Sequence, residues 1–143
     1  MFSKACEYGI RATVYIAAET VNGSKVGIDE ICAHIEAPKH FTAKILQVLT
    51  RHEIVSSQKG VNGGFYIDPQ QQRMPIKLIV EAIDGNKLFI GCGLGLKQCS
   101  EERPCPLHHQ FVGIREALNK MMDETTIDRL AVKLKNGEIV LMH

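Results

Sequence analysis

Residues 37–66 read APKHFTAKILQVLTRHEIVSSQKGVNGGFY, and the order of signals along this stretch decides the architecture. Pro38 stops whatever helix precedes it, because its ring clashes with the preceding turn. From Lys39 to about residue 52 there is neither Pro nor Gly, and Phe41, Ile45, Val48 and Leu49 fall at i, i+4, i+7 and i+8. That spacing predicts a helix with one apolar face. Its other face carries His40, Thr42, Ala43, Lys44, Gln47 and Arg51. Upstream, Ile28, Ile31 and Ile35 recur about one turn apart, which predicts a shorter helix over 27–35. A short helix, a tight turn and a second helix with an apolar stripe form a helix-turn-helix, a pattern that plain αα-hairpins share.

The rest of the stretch separates the two. Ile54-Val55-Ser56-Ser57-Gln58 and Phe65-Tyr66-Ile67 are β-prone runs around Lys59-Gly60-Val61-Asn62-Gly63-Gly64, which predicts a hairpin with a wide glycine tip. A hairpin directly after a helix-turn-helix is a wing. Between residues 37 and 66 the bases are Lys39, Lys44, Arg51 and Lys59 against the single acid Glu53, a net of +3. The whole chain has 17 Lys+Arg and 16 Asp+Glu, a net of +1, so its positive charge is concentrated where a groove-reading helix and a wing would meet phosphates.

Outward from this centre, residues 3–20 predict a helix with two apolar stripes, Cys6, Ile10, Val14, Ala17 and Tyr8, Ala12, Tyr15, as for a helix sandwiched between others. Met74-Pro75 predicts a helix opened by Pro and closed at Asp84-Gly85. Pro106 opens a long helix to about Asp123, in which Leu107, Phe111, Ile114, Leu118 and Met121 are spaced 4, 3, 4, 3. This 3.5-residue repeat is the seam of a coiled coil and predicts a two-fold homodimer through that helix. Thr125-Thr126-Ile127-Asp128 reads as a capping box before a last helix ended by Asn136-Gly137. The fold class is therefore mainly α with a small β-hairpin wing: a winged helix-turn-helix plus a long dimerisation helix. The predicted divisions are 1–85 for DNA binding, 86–105 for a cysteine loop, and 106–143 for the dimerisation helix and C-terminal segment.

At 143 residues, 45% hydrophobic and 23% charged, the chain has the composition of one globular domain and not of a disordered or polybasic protein. No apolar run approaches the ~20 residues that span a bilayer, and the opening Met1-Phe2-Ser3-Lys4 lacks a signal-peptide layout, which predicts a cytoplasmic protein without membrane contact.

Of the five cysteines, Cys6 and Cys32 stand alone in apolar-periodic segments and read as small buried hydrophobes. Cys92, Cys99 and Cys105 crowd one Gly- and Pro-rich loop, with His108 three places after the last. Thiolates are soft ligands that select zinc, copper(I) or iron–sulfur units. Structural zinc would use Cys₃His with His108, though the x₆ and x₅ gaps exceed the usual x₂₋₄. Those gaps suit a larger object, an iron–sulfur cluster; a thiol–disulfide switch needs no metal. A cysteine hydrolase using Cys105 and His108 lacks a visible oxyanion loop or a third orienting residue, so the chain reads as a non-enzyme.

Three elements together carry a family resemblance over residues 2–124: Tyr8-Gly9-Ile10-Arg11-Ala12, the wing Gly60-Val61-Asn62-Gly63-Gly64-Phe65, and Cys92…Cys99…Cys105-Pro106-Leu107-His108. The chain resembles the IscR/NsrR transcription regulators of the bacterial Rrf2 superfamily. The resemblance implies a homodimer on a double-stranded DNA operator, with a 2Fe–2S or 4Fe–4S cluster held by Cys92, Cys99 and Cys105 in each subunit. In IscR-like members the fourth ligand is a histidine at the position of His108; in NsrR-like members it is a carboxylate from the other subunit, where Glu7 falls. Both are present, and the x₆ first gap replaces the commoner x₅, so the cluster type stays open. The resemblance further implies DNA contacts from His40, Thr42 and Lys44 and from Lys59 and Asn62 of the wing. Ala43 stands where IscR-like members place a base-reading glutamate, which implies a different operator. The implied function is a repressor gated by a cluster that senses redox state, nitric oxide or cluster supply and is readily lost in air. The alternative is a winged-helix regulator sensing by cysteine oxidation or a small molecule.

Overall fold

The computed structural model describes residues 1–143. Helix α1 (Lys4–Thr20) starts at Ser3, whose hydroxyl accepts from the Cys6 N–H at 3.0 Å. The Ser3 N–H and hydroxyl both donate to the Asp84 carboxylate, pinning the start of the chain to a helix eighty residues on. Both apolar stripes of α1 are used: Cys6, Ala12, Val14, Tyr15, Ile16 and Ala17 are all buried. Burying each larger aliphatic side chain contributes about 1.5–3 kcal/mol, so α1 is the axis of the core.

Helix α2 (Ile28–Ile35) ends at Glu36, which adopts the left-handed conformation (φ 51°), and Pro38 in extended backbone forms the N-cap of α3 (Lys39–Arg51). Strands β1 (Ser56–Gln58) and β2 (Gly64–Tyr66) pair antiparallel, Ser56 with Tyr66, Ser57 with Phe65 and Gln58 with Gly64. They are shorter than the β-prone runs because Ile54, Val55 and Ile67 are spent in the core. Val26 exchanges both backbone hydrogen bonds with Phe65 (3.0 and 2.8 Å), tying the wing to the segment before α2.

The one-turn helix α4 (Pro69–Gln72) carries a capping box between Asp68 and Gln71, which the sequence reading did not identify. The helix expected at Met74-Pro75 begins later, as α5 (Lys77–Asp84). The reason is an antiparallel bridge between Pro75 and Thr126, flanked by bonds from Ile76 N–H to the Thr125 carbonyl at 2.9 Å and from Ile127 N–H to the Met74 carbonyl at 3.0 Å, which spends residues 74–76 in a ladder before the helix begins. A second one-turn helix, α6 (Lys87–Ile90), precedes the cysteine loop.

The long helix is α7 (His108–Glu124), and α8 (Ile127–Lys135) folds back onto α1. The capping box expected at Thr125–Asp128 does not form. Thr126 holds the N-cap position, but its hydroxyl donates to Asp128 and caps no backbone group. Segment 138–143 is held by Arg11, whose guanidinium donates to the Leu141 carbonyl at 3.4 Å and to that of Ile35 at 2.9 Å. No helix is long and apolar enough to cross a membrane.

Candidate metal centre and nucleic-acid interface

The face of α3 that looks outward differs from the expected one. Thr42, Ile45, Leu46 and Leu49 are buried, at i, i+3, i+4 and i+7, whereas Phe41 is exposed and meets Tyr8 edge-to-face at 5.7 Å. The apolar stripe is thus rotated by about one residue from a reading that centred it on Phe41 and Val48. Thr42 consequently points into the core, fully buried and with no partner for its hydroxyl, and is corrected from a DNA contact to an interior residue. Lys39, His40, Lys44 and Arg51 are exposed, as are Lys59 and Asn62 at the wing tip. Lys39 is partly committed: its ammonium lies 2.9 Å from the Asp29 carboxylate, and this hydrogen bond holds its pKa above the usual lysine value.

The wing tip depends on glycine at Gly64, where φ is +141° and a Cβ would lie 2.8 Å from the Val26 carbonyl oxygen. Any side chain there would both strain the backbone and push apart the Val26–Phe65 pairing.

The second site lies between α6 and α7. The Sγ atoms of Cys92, Cys99 and Cys105 all lie within 4.8 Å of one another, with Cys105 buried and the other two half-buried. Cys92 Sγ is 3.6 Å from Cys105 Sγ. His108, buried in the first turn of α7, places Nδ1 3.2 Å from Cys99 Sγ and Nε2 3.1 Å from a Glu101 carboxylate oxygen. Backbone N–H groups face two of the sulfurs: Leu94 donates to Cys92 and Cys105 donates to Cys99, each at 3.4 Å.

Helix α7 holds this loop. The Arg115 guanidinium donates to the carbonyls of Ile90 (3.0 Å) and Gly91, fixing the entry to the loop. Gly93 lies against the Phe111 ring so closely that a Cβ would stand 2.7 Å from it. Cys105 O accepts from His108 N–H at 3.1 Å, launching the helix directly from the third cysteine.

The environment treats the thiols unequally. Donation from the backbone N–H groups of Leu96 and Leu94 stabilises the Cys92 thiolate and brings its pKa down to about 7. The Cys105 N–H favours the Cys99 thiolate too, but desolvation and the neighbouring sulfurs of Cys105 and Cys92 outweigh it and raise Cys99. Cys6, by contrast, is pushed up to about 12 by burial and by the nearby Asp84 charge. It is a core residue, as its isolation in the sequence predicts.

Three thiols and an imidazole nitrogen, converging from one loop and one helix start, suit a centre of soft metal ions. Glu7 is not part of this group within one chain; it pairs with Lys4 at 3.2 Å on α1. Glu101 and Arg115 were missed by sequence reading, since neither has a spacing signal that marks it.

Residues 2–133 match the model of the Rrf2 family, described as an iron-dependent transcriptional regulator. The chain belongs to the Rrf2 family. This Rrf2 protein is 28% identical over 132 residues to an HTH-type transcriptional regulator sequence of Aquifex aeolicus, covering 91% of this chain and 90% of that one. It is 23% identical over 139 residues to the HTH-type transcriptional regulator NsrR of Oceanobacillus iheyensis, covering 96% and 92%. Its fold is shared with CymR, the global cysteine regulator of B. subtilis (TM-score 0.73, 18% identity, 92% and 96% covered). It is shared equally with T. potens IscR (TM-score 0.73, 15% identity, 98% and 92% covered). The Rrf2 protein is thus a winged-helix, DNA-binding transcriptional regulator, and its relatives are regulators and not enzymes.

Proposed function

We propose that this Rrf2 protein is a cytoplasmic, dimeric repressor whose affinity for its operator is gated by an iron–sulfur cluster held by Cys92, Cys99, Cys105 and His108. The observation that carries the reading is the convergence of the three sulfurs within 4.8 Å, with the His108 ring against Cys99. The family's description as iron-dependent supports the choice of metal. The cluster, when bound, supplies a redox- and nitric-oxide-reactive centre. Cys92, Cys99 and Cys105 bind it as thiolates, and His108 supports a histidine as fourth ligand; Glu7 would serve only from a partner subunit. DNA contacts are assigned to Lys39, His40, Lys44 and Arg51 on α3 and to Lys59 and Asn62 on the wing, within residues 1–85.

The dimer is assigned to α7. Leu107, Ile114 and Met121, seven residues apart, remain exposed in the single chain, at 39%, 55% and 51%. Of the alternate members of the repeat, Leu118 turns half inward against the chain's own core and Phe111 lies half-buried against Gly93 of the cysteine loop. An exposed heptad line on a long helix is a surface suited to its own two-fold copy. Arg115 and Gly93 tie residues 86–105 to this helix, so the state of the thiols bears directly on the dimer-forming segment 106–143.

Anaerobically purified protein is expected to be brown, with iron and sulfide present together, and Cys99→Ala is expected to remove both colour and the response of operator binding to nitric oxide. Colourless protein carrying stoichiometric zinc would overturn the reading. One observation favours a second reading, regulation by thiol oxidation: Cys92 and Cys105 lie 3.6 Å apart. In that case mild oxidant acting on metal-free protein gives a Cys92–Cys105 disulfide, visible by peptide mass spectrometry, and DNA affinity follows it.

A further inference from the structure

Glu101 has no place in the ligand set, yet its carboxylate is within reach of both neighbouring imidazoles: 3.1 Å from His108 Nε2 and 4.0 Å from His109 Nδ1. The ring of His108 therefore lies between two groups of opposite demand, a carboxylate at Nε2 and a sulfur at Nδ1. We propose that Glu101 is a positioning residue that selects the tautomer of His108, holding the proton on Nε2 so that the Nδ1 lone pair faces the cysteine sulfurs.

An ionised carboxylate only accepts, and a neutral imidazole has one N–H to give. With Glu101 at Nε2 the proton belongs there, because the reverse tautomer would set a ring lone pair against carboxylate oxygen. Nδ1 is then free to accept the Cys99 S–H, or to bind a metal in its place. Carboxylates that hold the far nitrogen of a ligating histidine fix its orientation and raise its basicity, and losing them weakens metal binding about 10–100-fold. The loop that supplies Cys99 and Cys105 thus also supplies, from between them, the group that prepares the fourth donor. His109, exposed on the next position of α7 and perpendicular to His108 at 5.3 Å between ring centroids, is the weaker claimant on the same carboxylate.

The metal-binding half of this inference rests on the cluster reading above; the tautomer half does not. The side chain of Glu101 is 73% exposed, so replacing it leaves the core intact. In reduced, metal-free protein, ¹⁵N spectra of the imidazoles are expected to show His108 as the Nε2–H tautomer, and Glu101→Ala is expected to give a mixture. Glu101→Gln, whose amide oxygen still accepts, is expected to restore the wild-type pattern. In anaerobically reconstituted protein, iron release to a chelator is expected to quicken about 10–100-fold in Glu101→Ala and less in Glu101→Gln. An Nδ1–H tautomer in wild type, or spectra and release rates indifferent to Glu101→Ala, would overturn the proposal. If the tautomer shift appears but the protein takes up no iron and sulfide, the positioning role stands and it is the cluster reading that fails.

Discussion

Lys39 stands at the start of α3 with its ammonium 2.9 Å from Asp29, so one cation of the set proposed to contact DNA is shared with a carboxylate before DNA arrives. Exposed pairs of this kind are weak, but the phosphate backbone must compete with that carboxylate for Lys39 and is repelled by it. Asp29→Asn is therefore expected to tighten operator binding about two- to five-fold and to steepen its salt dependence. Lys44→Ala is expected to do the opposite across all sequences, reducing the salt slope by about one; fluorescence anisotropy over a salt series checks both. The thiols offer a second test at this scale. A pKa lowered to about 7 means that in metal-free protein Cys92 passes from thiol to thiolate as pH rises through 7, well below the ordinary thiol range. Alkylation of Cys92 by iodoacetamide is expected to rise across that interval, while Cys6, held protonated up to about 12 and buried, stays unlabelled in the folded protein. Equal labelling of the two by peptide mass spectrometry would contradict the geometry of the loop.

Among the elements, the wing is the most sensitive to a single atom. Gly64→Ala places a methyl against the Val26 carbonyl at a positive φ, and is expected to cost about 1–3 kcal/mol, read as a lower melting temperature with weaker DNA binding. The elements most legible in the sequence were α1 with two stripes, α2 between its isoleucines, and the launch of α7 after Cys105; α3 was legible in its extent but not in its buried face. Position within a helix was less legible. Thr42 looked polar and outward, but it shares a face with Ile45, Leu46 and Leu49, and the packing of α3 against α1 and α5 outweighs one hydroxyl. The one-turn helices α4 and α6 are too short to show a period. The start of α5 moved because its backbone pairs with Thr125 and Ile127, fifty residues away, and no local signal reports such a partner. The same division holds at the thiol site: the three cysteines and His108 were visible by type and spacing, whereas Glu101 and Arg115 matter only through contacts made in space.

For the whole molecule, the exposed line of Leu107, Ile114 and Met121 predicts association. Ile114→Glu puts a charge at the centre of that line without disturbing the inward residues of α7, and is expected to convert a dimer to a monomer by sedimentation velocity, with loss of cooperative operator binding. A variant that stays dimeric would place the interface elsewhere. The backbone ladder between Val26 and Phe65 has a broader consequence. It welds the hairpin to the lead-in of α2, while Arg115 and Gly93 fasten the thiol-bearing loop to the opposite end of the chain. On the proposed dimer, each monomer would then meet a half-site as a stiff hand whose fingers do not flex separately. If the proposed signal arises at the sulfurs, it would act on the angle at which two such hands are held, so a lone half-site is expected to be gripped equally in both states and only a palindrome to feel the difference.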